Sequence, residues 1–262
     1  MIIKVDNLSK KFKNFVAVDN ISFVVESGSI FAFLGPNGAG KTTTIKMLTT
    51  LLRPSSGSVF LNNFDVDKDP GNVRKSFGIV FQDSSLDEEL TAFENMNLHG
   101  VLYNVPKDIL KDRIKQLLEI VELWERRNDQ VKKFSGGMKR RLEIARGLLH
   151  HPKILFLDEP TLGLDPQTRN HIWNYIKNLN QEEGVTVFFT THYLDEVERV
   201  ASKVAIIDRG KIIIQGTIGE LKEKTGADSL ENAFINLTGK NIREEDSSSI
   251  DMMRNRRRVF KH

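Results

Sequence analysis

Residues 30–47 read IFAFLGPNGAGKTTTIKM. Five apolar residues lead straight into Gly35, Gly38 and Gly40, and then come Lys41, three threonines and a helix-like pattern. An apolar run of this length reads as a strand buried on both faces. Glycine lets backbone N–H groups turn inward and approach anionic oxygens closely. The helix that follows adds its positive N-terminal end. GPNGAGKT, from Gly35 to Thr42, fits the phosphate-loop pattern GxxxxGK[ST]. Gly35, Pro36, Asn37, Gly38, Ala39 and Gly40 then form the cradle, with Thr43 just inside the helix. Lys41 is placed to reach the β- and γ-phosphates, and the Thr42 hydroxyl to help hold Mg2+. A chance glycine turn is the alternative, and the order strand, loop, helix argues against it. The loop by itself says nucleoside triphosphate, a class that spans kinases, GTPases and many ATPases.

Working outward, the chain of 262 residues is 39% hydrophobic and 28% charged, enough to bury a real core. Its net charge of +3 gives no sign of a nucleic-acid partner. Without cysteine it has no disulfide framework and no thiolate metal site, which fits a reducing compartment. No signal-peptide pattern is read at residues 1–5. No apolar run approaches the roughly 18 residues a membrane helix needs, so any membrane span is expected from another chain.

The first 60 residues read as strand-rich, with strands at 2–5, 21–25 and 30–34. A helix is expected at about 41–51, stopped near Pro54 and Gly57, and further strands at 58–61 and 78–81. Residues 91–124 read as helical. Thr91 with Glu94 matches a capping box, and Ile114, Leu117, Leu118 and Val121 recur at helical spacing. The spacing predicts a helical subdomain, about 88–150, inserted into an α/β body. From residue 154 strand and helix alternate again: ILFLD, VTVFF and KVAIID are apolar strands, and 166–180 is a helix with Ile172, Ile176 and Leu179 on one face.

Two more stretches carry chemistry. ILFLDE, residues 154–159, ends a buried strand in two carboxylates, which emerge where α/β sheets bind ligands. Asp158 is placed to orient Mg2+, and Glu159 to polarise an attacking water as general base. A solvated acidic turn is the alternative, outweighed by the phosphate loop upstream. FSGGMKRRLEIARGLL, residues 134–149, opens a helix on Ser135, Gly136 and Gly137. Hydroxyl, free amides and helix dipole can make an anion site there, though alone the stretch reads as an ordinary N-cap with a solvated basic face.

In order, GPNGAGKTT, Gln82, FSGGMKRR, ILFLDEP, GLD and TTH together resemble the nucleotide-binding subunits of ABC transporters, over about residues 1–240. Residues 134–138 are similar to that family's LSGGQ signature, with Phe for Leu and Met for Gln. The resemblance implies an α/β fold: a P-loop ATPase core with a mixed sheet, an N-terminal antiparallel β region and the inserted helical subdomain. It also implies further roles. Phe12 stacks on adenine, with Phe15 as the alternative and plain core as another. Gln82 senses Mg2+ and water, Asp165 links two active sites, and His192 contacts the γ-phosphate. ATP and Mg2+ are the implied cofactors.

In such a family two cassettes pack head to tail, with ATP between the phosphate loop of one and the Ser-Gly-Gly helix of the other. The implied partners are a second ATP-binding subunit, as a homodimer, and an integral membrane permease that holds the chain at the cytoplasmic face of the membrane. No nucleic acid is expected. Residues 81–103 fall where the family receives the permease. The wording SLDEELTAFEN, GTIGEL and SLENAFINLTG is similar to drug-resistance exporters of the daunorubicin class. The alternative is a soluble ABC-type ATPase acting on DNA, ribosomes or cluster assembly. The stretch between Gln82 and Ser135 leaves no room for the long coiled coil of DNA-repair relatives. A generic P-loop kinase is disfavoured by the Ser-Gly-Gly helix and His192. The tail, 241–262, turns acidic and then basic with Arg254, Arg256, Arg257, Arg258 and Lys261. It reads as a solvated end, or as a contact to anionic headgroups worth about 1 kcal/mol per basic residue.

Overall fold

A computed structural model describes residues 1–238, so the expectations for the tail at 241–262 lie outside the described residues. The chain opens on a long hairpin of β1 (Ile3–Phe12) and β2 (Phe15–Val25), with Phe12 opposite Phe15 at its tip. Both strands run further than their apolar stretches predicted. Register shifts let Lys10 and Lys11 pair with Val18 and Val16, so the polar half of β1 is held by its ladder and not by burial. β3 (Ile30–Leu34) enters the glycine loop, and α1 (Lys41–Leu48) leaves it. The expected helix to residue 51 stops early. Thr50 takes a φ of 63°, and the amides of Leu51 and Leu52 both turn back onto Lys46 O at 2.9 Å.

Next come β4 (Ser56–Leu61), the short β5 (Phe64–Asp65), α2 (Pro70–Ser76) and β6 (Phe77–Val80). The helical stretch consists of α3 (Ala92–Leu102), α4 (Lys107–Ile120) and α5 (Gly136–Gly147). The Thr91–Glu94 capping box is formed in both directions. β7 (Ile154–Asp158), α6 (Pro166–Glu183) and β8 (Thr186–Thr191) follow. The chain then runs through α7 (Leu194–Val200), β9 (Lys203–Asp208), β10 (Lys211–Gly216), α8 (Ile218–Thr225) and α9 (Leu230–Thr238).

Among the described residues the strands form two sheets. One is antiparallel in the order β2-β1-β4-β5. The other is mixed, β10-β9-β3-β8-β7-β6, parallel except for the β9–β10 hairpin. The mixed sheet is buried on both faces, and the period of two sorts its side chains between two cores. Ile30, Ala32, Leu34, Leu155, Leu157, Val187 and Phe189 point to one, shared with Met96, Leu117 and Leu142 of the helical stretch and with Trp173. Phe31, Phe33, Phe156 and Phe188 point to the other, shared with Phe23 of the hairpin and Ile45 of α1. The Phe23, Phe31, Phe33 and Phe188 rings lie 5.5–5.9 Å apart. This double burial is why IFAFL and ILFLD carry no alternation.

Candidate active site

In the mixed sheet β3, β8 and β7 are neighbours and parallel, so their carboxyl ends open on one side. That edge receives the glycine loop, Asp158 with Glu159, and His192. In the loop Gly38 takes a φ of 74° and Gly40 one of 110°. A Cβ at Gly40 would also stand 2.7 Å from Ala17 O, so the loop is pressed against the hairpin strand at the point where the helix begins. Lys41 is only 6% exposed and its Nζ curls back to donate to Gly35 O at 2.8 Å and to Pro36 O at 3.3 Å.

Glu159 binds the same ammonium. Its Oε1 is 3.1 Å from Lys41 Nζ, and its Oε2 is 2.7 Å from His192 Nδ1. The Glu159 backbone sits at a φ of 51°, a left-handed conformation costly for a residue with a side chain. The Thr190 carbonyl and hydroxyl hold it there by accepting from its N–H at 3.2 and 3.1 Å. Burial by itself raises the Glu159 pKa. The His192 hydrogen bond and the Lys41 charge outweigh that and keep it below the ordinary glutamate value, so the side chain is a carboxylate at neutral pH.

Asp158 is 1% exposed and accepts from Thr190 Oγ1 at 2.6 Å and from Thr42 Oγ1 at 3.3 Å, although Thr42 lies 116 positions away in the chain. A hydroxyl and a carboxylate oxygen are hard donors of the kind Mg2+ takes alongside phosphate oxygens. Among the described residues no cluster of three or more histidines or acids could hold a metal by itself. The donor chemistry of the pair fits a metal held in part by phosphate oxygens.

Lys41, Thr42, Asp158, Glu159 and His192 are thus in direct contact. The other expected residues stand apart from them. Ser135 is exposed and caps α5, accepting from Met138 N at 3.3 Å. Gly136 is exposed, and Gly137 is buried under Thr168. Asp165 is exposed and caps α6 by accepting from Thr168 N at 3.0 Å and from its hydroxyl at 2.6 Å, contacts that keep its pKa low. Gln82 is exposed two residues past β6, and its carbonyl accepts from Arg140 at 3.0 Å. Phe12 and Phe15, 44% and 62% exposed, stand at the hairpin tip, so neither is core.

Two supports were not legible as functional residues. Thr190 carries both acids, and the only hint was a pair of threonines ending an apolar strand. Glu196, 1% exposed, accepts from Thr161 at 2.6 Å and from Thr191 at 3.2 Å, bracing the chain on either side of the site.

A glycine loop opening a helix, a buried lysine and an acid pair ending a parallel strand of the same sheet define a phosphate-loop nucleoside triphosphatase. The family model described as ABC transporter matches residues 18–162. The chain belongs to the ABC transporter family, as one of its ATP-binding and ATP-hydrolysing subunits. It is 40% identical over 243 residues to the linearmycin resistance ATP-binding protein of Bacillus subtilis, spanning 93% of this chain and 76% of that one. It is 42% identical over 228 residues to the daunorubicin/doxorubicin resistance ATP-binding protein of Streptomyces peucetius, spanning 87% and 69%. A solved ATP-binding subunit of an ABC transporter matches with a TM-score of 0.83 at 29% identity, over 91% of this chain and all of that one. A dimeric cassette in a post-hydrolysis state with ADP and phosphate matches with a TM-score of 0.75 at 28% identity, over 82% and 98%.

Proposed function

We propose that the chain powers export through a separate membrane permease, as one half of a cassette homodimer at the cytoplasmic face of the membrane. The observation that carries the hydrolytic part is Glu159 held between Lys41 and His192 at the mouth of the phosphate loop. Glu159 is the general base for water, His192 orients it and contacts the γ-phosphate, and Lys41 binds the phosphates. The loop residues Gly35, Pro36, Asn37, Gly38, Ala39, Gly40 and Thr43 cradle them, and Phe12 stacks on adenine. Mg2+ would be held by Thr42, Asp158 and Gln82, and when bound it neutralises charge on the phosphates.

Ser135, Gly136 and Asp165 are exposed and outside the catalytic cluster, which supports their use by a second copy. ATP that touches both copies favours the closed pair, and loss of the γ-phosphate lets it open. Residues 88–150 act as the inserted helical subdomain, and residues 81–103 are the region that meets the permease. Among the described residues no helix is long and apolar enough to cross a membrane, so the span is assigned to the partner. The resistance functions named for both relatives support the exporter reading and, within it, a drug-like cargo.

The experiment is sedimentation with ATP in a Glu159→Gln background, where closure should appear as a dimer. Adding Ser135→Arg should leave nucleotide binding intact and return the chain to monomer. A dimer that persists with Ser135→Arg refutes the role in the second copy. Co-purification with a multi-span membrane protein tests the permease.

A further inference from the structure

α5 is capped by Ser135, and three of its side chains grip the loop that carries Gln82. Arg140 and Glu143 are 7% and 3% exposed and pair at 3.1 Å. Both also bond to the loop backbone. Arg140 donates to Phe81 O at 2.6 Å and to Gln82 O at 3.0 Å, and Ser85 N donates to Glu143 Oε1 at 2.9 Å. Arg146, one turn further on, donates to Ser85 O at 2.8 Å and to the Ser85 hydroxyl. Lys139 reaches Glu88 at 2.5 Å. The strand ladder of β6 ends at Val80, and from Phe81 to Ser85 the loop backbone is held by this helix. A buried ion pair costs desolvation and is weak evidence for stability by itself, so a pair whose other hydrogen bonds go to one loop points to positioning.

We propose that Arg140, Glu143 and Arg146 are positioning residues that bind the Gln82 loop to α5, so that Gln82 and Ser135 move as one body. This rests on the site reading above. The site of one copy and the contact offered to the other are then mechanically one part: a push on the exposed loop displaces Ser135 by the same motion. The phosphate loop is untouched by these side chains, so nucleotide binding does not depend on them.

The test is steady-state ATPase of the full chain with Arg146→Met, Arg146→Lys and Glu143→Gln, beside Glu159→Gln. Arg146→Met should lower kcat about ten-fold with KM for ATP within about two-fold. Arg146→Lys should recover part of the loss, and Glu143→Gln, which keeps the acceptor for Ser85, should lose less than Arg146→Met. A merely structural role predicts instead that KM and the unfolding temperature move together with kcat, and that result overturns the proposal. Because the chain has no cysteine, Ser84→Cys with Lys133→Cys gives a unique spin-label pair between the loop and the turn just before the Ser135 cap. One distance, unchanged between nucleotide-free and ATP-closed chains and broadened by Arg146→Met, is expected. A distance that shifts on closure overturns the link. With Glu159→Gln inactive and Arg146→Met at the parental rate, the site reading stands and the clamp falls. With Glu159→Gln active, the site reading falls and the clamp with it.

Discussion

Replacing Glu159 by Gln changes one charge and almost no shape. The carboxylate has two partners, Lys41 Nζ at 3.1 Å and His192 Nδ1 at 2.7 Å, and its side chain is 8% exposed. The amide keeps one oxygen for Lys41, so ATP binding should survive with KM within a few-fold of the parent. What disappears is an atom able to take a proton from water. A positioned base contributes about 10²–10⁴-fold, so kcat should fall by that factor, about 3–5 kcal/mol of transition-state stabilisation. A second signature lies in pH. The folded-state pKa of Glu159 is depressed, so its contribution to stability is present above the unfolded value and lost as pH falls through the folded one. The unfolding temperature of the parent should therefore drop below about pH 4.3, and that of the variant should drop less. Phosphate release at saturating ATP and Mg2+, a nucleotide titration and unfolding scans at neutral and acid pH read all three. Turnover within ten-fold of the parent would refute the general-base assignment.

Lys41→Ala removes the cation that faces both Glu159 and the phosphate loop, and nucleotide affinity measured by calorimetry should fall at least about ten-fold, an order typical of losing one charged contact; unchanged affinity counts against the loop reading. Gly137→Ala places a Cβ 2.5 Å from Thr168 Cγ2, an overpacking worth about 1–3 kcal/mol in chemical denaturation. Pairing it with Thr168→Ser, which deletes that methyl but keeps the hydroxyl on Asp165, should restore most of the loss. Burial holds His99 and His150 at pKa values of about 4, with Arg146 adding to the effect on His99. The unfolded chain takes up these protons first, so stability should decline as pH falls from about 6.5 toward 4. His99→Phe, which keeps a ring against Tyr103, should lose less between pH 7 and 4.5, and an equal loss would clear His99 of the effect.

Much of the site was legible because its parts are local. A glycine loop between strand and helix, a capping serine before two glycines and an acid pair at a strand end each declare themselves within ten residues. Most of the elements that were missed have weak local patterns. β10 alternates in exposure at a sheet edge, β5 has two residues, and α2 and α7 have seven each, whereas α8 and α9 went unread although Thr217 and Glu220 close a capping box at the start of α8. The hairpin strands ran past their apolar stretches because ladder pairing, which no local pattern encodes, holds their polar halves.

The sequence alone settled the place of the glycine loop between strand and helix, the strand that feeds it and the family, since those follow from residue type and spacing over short distances. Only the tertiary structure decided that Thr42 meets Asp158, that Lys41 and His192 share Glu159, and that Arg140, Glu143 and Arg146 hold the Gln82 loop. These contacts join segments dozens of residues apart or more, and they exist because sheet order places β3, β8 and β7 side by side and packs α5 against the end of β6. Strand order is a property of the whole core, fixed by how both faces of one sheet are buried at once, and no window of sequence contains it.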